Sequence, residues 1–151
     1  MEIVCGADGT AVERLANDGD RVREGDVIMR VTAPTRAMLT AERTALNLLC
    51  HLSGVATAAA RWVDAVAGTG AVVRDTRKTT PMLRALEKHA VRCGGGQNHR
   101  MSLSDAALVK DNHIAAAGGV REAFAAVRAR AAGLPIEIEV DTLEQLREAI
   151  D

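Results

Sequence analysis

The stretch Ala106-Ala107-Leu108-Val109-Lys110-Asp111-Asn112-His113 decides the fold. Four small or aliphatic residues make a run of strand length, and the chain turns polar at once after it. The same unit repeats on both sides. Upstream, residues 71–74 read as a short apolar strand that ends in Arg74-Asp75-Thr76-Arg77-Lys78-Thr79. Thr80-Pro81 then opens a helix, with Thr80 as N-cap and Pro81 at the first helical position. Leu83, Leu86 and Ala90 supply its apolar face, and Gly94-Gly95-Gly96 stops it. Downstream, Val120, Ala123, Phe124, Val127 and Ala131 line a helix closed by Gly133 and Pro135. Residues 136–140 are a third strand, and Thr142 with Gln145 forms a capping box for a helix carrying Leu143, Leu146 and Ile150. Strand and helix alternate three times, which implies parallel strands joined by right-handed crossovers. An α/β barrel and an open doubly wound sheet both fit. No Gly-x-Gly-x-x-Gly follows a strand, so dinucleotide binding has no support.

The first part of the chain has a different texture. Residues 39–67 are helical, with Leu46, Leu49, Leu52, Val55, Ala59, Trp62, Val63 and Val66 at spacings of three and four. Gly54 is expected to bend or divide this segment, and Gly68 and Gly70 to end it. Before it, residues 11–15 and 26–31 read as strands. The Asp-Gly and Gly-Asp pairs between them are turn chemistry. This hairpin pattern resembles biotinyl and lipoyl carrier domains, but no lysine precedes Lys78 to be modified, so a structural β-rich module is the better reading. Pro34 marks the boundary, giving residues 1–37 to that module and 38–151 to the alternating domain.

Composition limits the function classes. The chain has 151 residues, 48% hydrophobic and 26% charged, which is globular rather than disordered. Its aromatic residues are Trp62 and Phe124, so the core must be aliphatic and alanine-rich. A net charge of -1 and the lack of aromatic stacking platforms argue against nucleic acid as a partner. Cys5, Cys50 and Cys93 are far apart, odd in number and without metal-ligand spacing, so neither a disulfide framework nor a zinc site is expected, and free buried thiols in a reducing cytosol are the better reading. No apolar run spans a membrane and the first six residues are not a signal peptide, so the expected location is cytoplasmic.

The polar residues cluster just after the strands. In parallel α/β proteins the C-terminal strand ends share one face, where active sites form. Arg77, Lys78, Lys110, Glu139 and Asp141 are therefore expected to converge, with Asn98-His99-Arg100 folding over the same mouth. Arg77 and Arg100 suit bidentate carboxylate binding, while Lys78 and Lys110 are compact point charges. His99 can donate to an anion. Asp75, Asp105 and Asp111 are placed to orient these cations. Period two sets Glu137 and Glu139 opposite Ile136, Ile138 and Val140, so both need cations or a metal if they face an interior. The expectation is an enzyme site for a substrate with more than one negative group.

Four ordered motifs then carry a resemblance. They are Ala41-Glu42-Arg43-Thr44-Ala45-Leu46-Asn47, Asp75-Thr76-Arg77-Lys78-Thr79-Thr80-Pro81, Gly94-Gly95-Gly96-Gln97-Asn98-His99-Arg100 and Lys110-Asp111-Asn112-His113. Together they closely resemble the quinolinate phosphoribosyltransferases, the carboxylating nicotinate-nucleotide pyrophosphorylases. The resemblance implies a partial α/β barrel preceded by part of a β-rich α/β sandwich domain. It implies phosphoribosyl transfer from phosphoribosyl pyrophosphate to quinolinate with decarboxylation, giving nicotinate mononucleotide for NAD biosynthesis, with magnesium. It gives Arg77, His99, Arg100 and Lys110, together with Thr76, to quinolinate and Lys78 to the phosphoribosyl side. Glu139 is implied for ribose hydroxyls or magnesium, with Asp141 assisting. Arg43 is implied to reach the site of a neighbouring subunit in a homodimer or larger assembly.

Met82 departs from the resemblance where glycine is usual, and His89 where tyrosine is common. The chain also lacks the family's first elements and its later acidic and glycine-rich loops, so it is expected to be truncated at both ends and inactive alone. Two alternatives stand beside this reading: a fragment that only folds and associates, and a phosphoribosyltransferase-like protein associated with molybdate transport.

Overall fold

The structure is a computed structural model and describes residues 9–131 and 133–150. Cys5 and the sequence argument about the first six residues lie outside them. The chain divides into two compact units, one running to His99 and one beginning at Arg100.

The first unit opens with the expected hairpin. Strand β1 (Ala11–Arg14) pairs antiparallel with β2 (Met29–Thr32), setting Ala11 opposite Thr32 and Arg14 opposite Met29. Helix α1 (Thr35–Ala65) follows Pro34 and runs through Gly54 undivided for 31 residues. Flanking helix formers such as Leu52 and Ala56 keep the hydrogen-bond ladder intact, and one glycine costs only about 1 kcal/mol.

Helix α1 packs on α2 (Arg84–Cys93), with alanines at the buried positions: Ala41 and Ala59 on α1, Ala90 on α2. Their small size lets the backbones approach. Gly94, at the end of α2, marks the limit of that approach. A Cβ there would lie 2.3 Å from the Ala56 carbonyl oxygen and 2.8 Å from Ala59 Cβ.

Two further expectations for this unit fail. The helix expected from Thr80 begins only at Arg84. Thr80-Pro81-Met82-Leu83 forms a tight turn instead, with Leu83 N–H donating to the Thr80 carbonyl at 3.0 Å. Proline second and a positive φ third, here Met82 at 68°, are the marks of a type II turn. The strand expected over 71–74 shrinks to one parallel bridge, Arg74 to Gln97. Gly95 and Gly96 spend their N–H groups on Arg92 and Val91, closing α2. Gln97 is thus the first residue left to run beside the would-be strand.

In the second unit, β3 (Ala107–Val109) pairs parallel with β4 (Ile136–Ile138), Ala107 beside Ile136 and Val109 beside Ile138. Between them lie α3 (Asp111–Ala117) and α4 (Val120–Arg128), and α5 (Leu143–Ile150) follows β4. Val109, Ile114, Val120 and Ala123 form the core, with Val127, Ile136 and Ile138 packed against it. Helix α3 was not anticipated. Its three alanines and the Gly118 stop, which sits at φ 92°, were legible signals of a short helix. The capping box forms as expected: Gln145 N–H donates to Thr142 Oγ1 at 3.2 Å, and Thr142 N–H to Gln145 Oε1 at 3.3 Å.

The architecture is thus mixed α/β: an antiparallel hairpin, a long helix, then parallel βα units. Among the described residues, no helix is long and apolar enough to cross a membrane.

Candidate active site

The segment after the Arg74 bridge is held by a buried polar network. Asp75 accepts from Lys88 Nζ, from the His99 backbone N–H at 2.8 Å and from Asn98 Nδ2 at 2.6 Å. Lys88 Nζ also donates to the His99 carbonyl at 3.1 Å, and Asn98 Nδ2 to the Lys88 carbonyl at 2.8 Å. The Lys88 side chain is 1% exposed and that of Asp75 8%. Charges taken so far from water persist only when paired and hydrogen-bonded, and here both are. The network therefore fixes two loops together: the one carrying Arg77 and Lys78 and the one carrying His99.

A second layer shapes the Arg77 loop. Lys78 N–H donates to Thr76 Oγ1 at 3.1 Å, and Thr79 N–H to the Arg77 carbonyl at 3.0 Å. Arg84 Nε donates to Thr79 Oγ1 at 3.0 Å. Buried Glu87 accepts from Thr80 N–H at 3.0 Å and pairs with His51 Nε2 at 2.8 Å. Hydrogen bonds from Thr80, then from His51, hold the Glu87 carboxyl below its usual range, against the opposing effect of burial. Arg77 itself is half-buried, and its Nε is shut from solvent with no hydrogen-bond partner among the described residues. Thr76 and Lys78 are exposed.

The remaining expected residues fall in the second unit, except Arg43, which is exposed on α1. Arg100 donates from Nη1 to the Ala106 carbonyl at 2.9 Å, which holds its guanidinium against the residue that precedes β3. Lys110 occupies the N-cap position of α3, and its Nζ donates to Glu139 Oε2 at 3.1 Å. Glu139 thus finds a cation while remaining open to solvent, its side chain 55% exposed. His113 Nδ1 accepts the Lys110 backbone N–H at 2.9 Å, which puts the neutral ring's proton on Nε2. Asp141 is exposed, and its N–H donates to Gln145 Oε1 at 2.7 Å.

Sequence reasoning missed Lys88, Glu87 and Arg84. On an amphipathic helix such charges read as a solvated face. The available signal was Asp75, a carboxylate at a strand end that needed a cation of its own. The expected buried thiols are also corrected: Cys50 is exposed and Cys93 half-buried, because α1 turns its Cys50 face to solvent.

Residues 55–151 match the family model described as quinolinate phosphoribosyl transferase, C-terminal domain, and residues 1–53 match its N-terminal domain. The nicotinate-nucleotide pyrophosphorylase [carboxylating] of Mycobacterium leprae is 58% identical over 97% of this chain and 51% of its own length. A probable enzyme of the same name from Bacillus subtilis is 50% identical over 88% of this chain and 46% of its own. Among solved structures, NadC from Streptococcus pyogenes matches with a TM-score of 0.86 and 48% identity, covering 93% of this chain and 50% of that one. The nicotinate-nucleotide pyrophosphorylase of Ehrlichia chaffeensis gives 0.91 at 37% identity, covering 95% and 52%. The chain spans about half the length of the curated relatives it matches. With the two family models together matching residues 1–53 and 55–151, the chain belongs to the quinolinate phosphoribosyl transferase family.

Proposed function

We propose that this chain carries the quinolinate-binding residues of a phosphoribosyltransferase that makes nicotinate mononucleotide, with release of pyrophosphate and carbon dioxide. The observation that carries this reading is Arg77. A half-buried guanidinium with an unmet N–H, on a loop locked by Asp75 and Lys88, is prepared for an anionic acceptor. A pyridine dicarboxylate supplies two carboxylates, and Arg77, His99, Arg100 and Lys110 are the groups assigned to them, with Thr76 shaping the loop. Lys78 serves the phosphoribosyl side. Arg43, exposed on α1, is assigned to the site of a second copy in a homodimer.

The chemistry follows from charge. Loss of pyrophosphate builds positive charge at the ribose carbon, and the pyridine nitrogen forms its bond there. The resulting pyridinium stabilises the electron pair left on the ring carbon as the adjacent carboxylate leaves as carbon dioxide, and that carbon then takes a proton from solvent. The protein's task is to orient the two reactants and exclude water, which needs no protein nucleophile. Magnesium, when bound, neutralises the pyrophosphate leaving group. Glu139 and Asp141 would suit it as oxygen donors. Glu139, which accepts from Lys110 Nζ here, would hold the cation through its carboxylate oxygens.

A thermal-shift comparison tests this reading. Quinolinate should raise the melting temperature, while nicotinate and picolinate, each with one carboxylate, should raise it far less. Arg77→Ala should abolish the quinolinate shift. Equal shifts from all three acids would overturn the assignment. Because the curated relatives carry about as much chain again, nicotinate mononucleotide formation by this chain alone is not expected. Measurable product would contradict that.

A further inference from the structure

We propose that Asp18, His89 and Cys93 form a binding site for a zinc-class divalent cation on the first unit. The ligand atoms of these three residues lie within 4.8 Å of one another, the single such cluster among the described residues. His89 Nε2 stands 3.0 Å from Asp18 Oδ2 and 3.3 Å from Cys93 Sγ. Around a tetrahedral zinc with bonds of about 2.0 Å to nitrogen and oxygen and about 2.3 Å to sulfur, neighbouring ligand atoms sit roughly 3.3–3.6 Å apart. The two separations made by His89 Nε2 therefore lie within a few tenths of an ångström of these values, and the Asp18 to Cys93 separation closes from no more than 4.8 Å.

The placement of each ligand is built into the backbone. His89 and Cys93 are four residues apart on α2 and so share one face of the helix. Asp18 comes from the turn between β1 and β2, closed by Asp20 N–H donating to the Asn17 carbonyl at 3.1 Å. Gly19 makes that approach feasible: its φ is +93°, and a Cβ there would lie 3.1 Å from the Cys93 carbonyl oxygen. Asp18 and His89 are exposed, so an ion reaches them from solvent.

Donor chemistry sets the class of ion. An imidazole, a thiolate and a carboxylate suit zinc or a similar borderline-soft metal, whereas magnesium and calcium take all-oxygen shells. Three protein ligands leave one position for water. The protons balance as follows. Without metal, His89 Nε2–H donates to Asp18 and Nδ1 accepts from Arg92 Nη2 at 3.3 Å. The metal takes the Nε2 lone pair, so the ring proton resides on Nδ1 and Arg92 Nη2 withdraws. Arg92 keeps its Nη1 bond to Asn98 Oδ1, 2.7 Å long. The Cys93 thiol proton passes to solvent. The bound ion then clamps the hairpin turn to α2.

The test uses the untagged 151-residue chain with Cys5→Ser and Cys50→Ser, so that Cys93 is its one thiol. Cobalt(II) is titrated as a spectroscopic probe. The expected result is a thiolate-to-cobalt absorption band that saturates at one ion per chain and is displaced by zinc but not magnesium. Cys93→Ser should remove the band, and His89→Ala should weaken binding by about tenfold or more. A missing band, or one unchanged by both His89→Ala and Asp18→Asn, would overturn the proposal. Should the serine changes impair folding, the unmutated chain gives the same answer. Zinc should raise its melting temperature, and His89→Ala should cancel that rise; a rise that survives His89→Ala counts against the site.

Discussion

Two carboxylate–lysine pairs in this molecule use the same chemistry to opposite ends. Asp75 and Lys88 are sealed from solvent, and Asp75 takes two further hydrogen bonds from Asn98 and the His99 backbone. Glu139 and Lys110 meet in the open, with side chains 55% and 40% exposed. The first pair is framework: neither charge can leave without stranding the other in a poorly solvated place. The second is exchangeable: either partner can trade the other for water, a ligand or a metal at little cost. Under the proposed function the two kinds divide the work, one holding the loops still and one free to respond to what binds.

The largest expected effect breaks the framework pair. Lys88→Ala should destabilise the chain by about 3–5 kcal/mol, because it leaves the Asp75 charge buried and unpaired. Chemical denaturation checks this, and a loss below about 1 kcal/mol would place the pair with the exposed kind.

Glu87 sharpens the contrast through pH. Its folded pKa lies below the usual glutamate value of 4.5. A depressed carboxylate pKa stabilises in full above that value and loses its contribution as pH falls through the folded one. Glu87→Gln should therefore destabilise near neutral pH, and the gap from wild type should narrow on acidification. Denaturation at neutral pH and again below the usual glutamate range reads it; a gap independent of pH would contradict the assignment.

Met82 tests the turn that separates the Arg77 loop from α2. It is 98% exposed and sits at a φ of 68°. Met82→Gly should stabilise by up to about 1 kcal/mol, since the left-handed strain it relieves slightly exceeds the added chain entropy. A lower melting temperature would mean that the turn is not strained. The smallest effect is expected at the exchangeable pair. Lys110→Ala should change stability by less than about 1 kcal/mol while weakening quinolinate binding, so its two readouts should diverge.

Much of this was legible in the sequence, and three of the failures share a cause. The hairpin, the second unit's strands and the Thr142–Gln145 capping box follow from alternation and local side-chain chemistry, which neighbours in sequence determine. The motifs that resemble the family also stand in the sequence itself. The start of α2 was misread because Thr-Pro suits both a helix N-terminus and a type II turn. Met82, a residue that disfavours positive φ, gave no hint of which one forms. Lys88 was missed because its partner lies 13 positions away. The first expected strand needed a neighbouring segment that the glycines after α2 consume. These three failures concern a partner distant in sequence or a backbone state that the residue type conceals, whereas α3 was missed despite local signals.

The most direct test of the central claim is calorimetric titration of quinolinate into this chain and into its Arg77→Ala variant. The account predicts one binding site per chain, with affinity reduced by at least about tenfold, or about 1.4 kcal/mol, when Arg77 is lost. Unchanged quinolinate affinity in Arg77→Ala would contradict it.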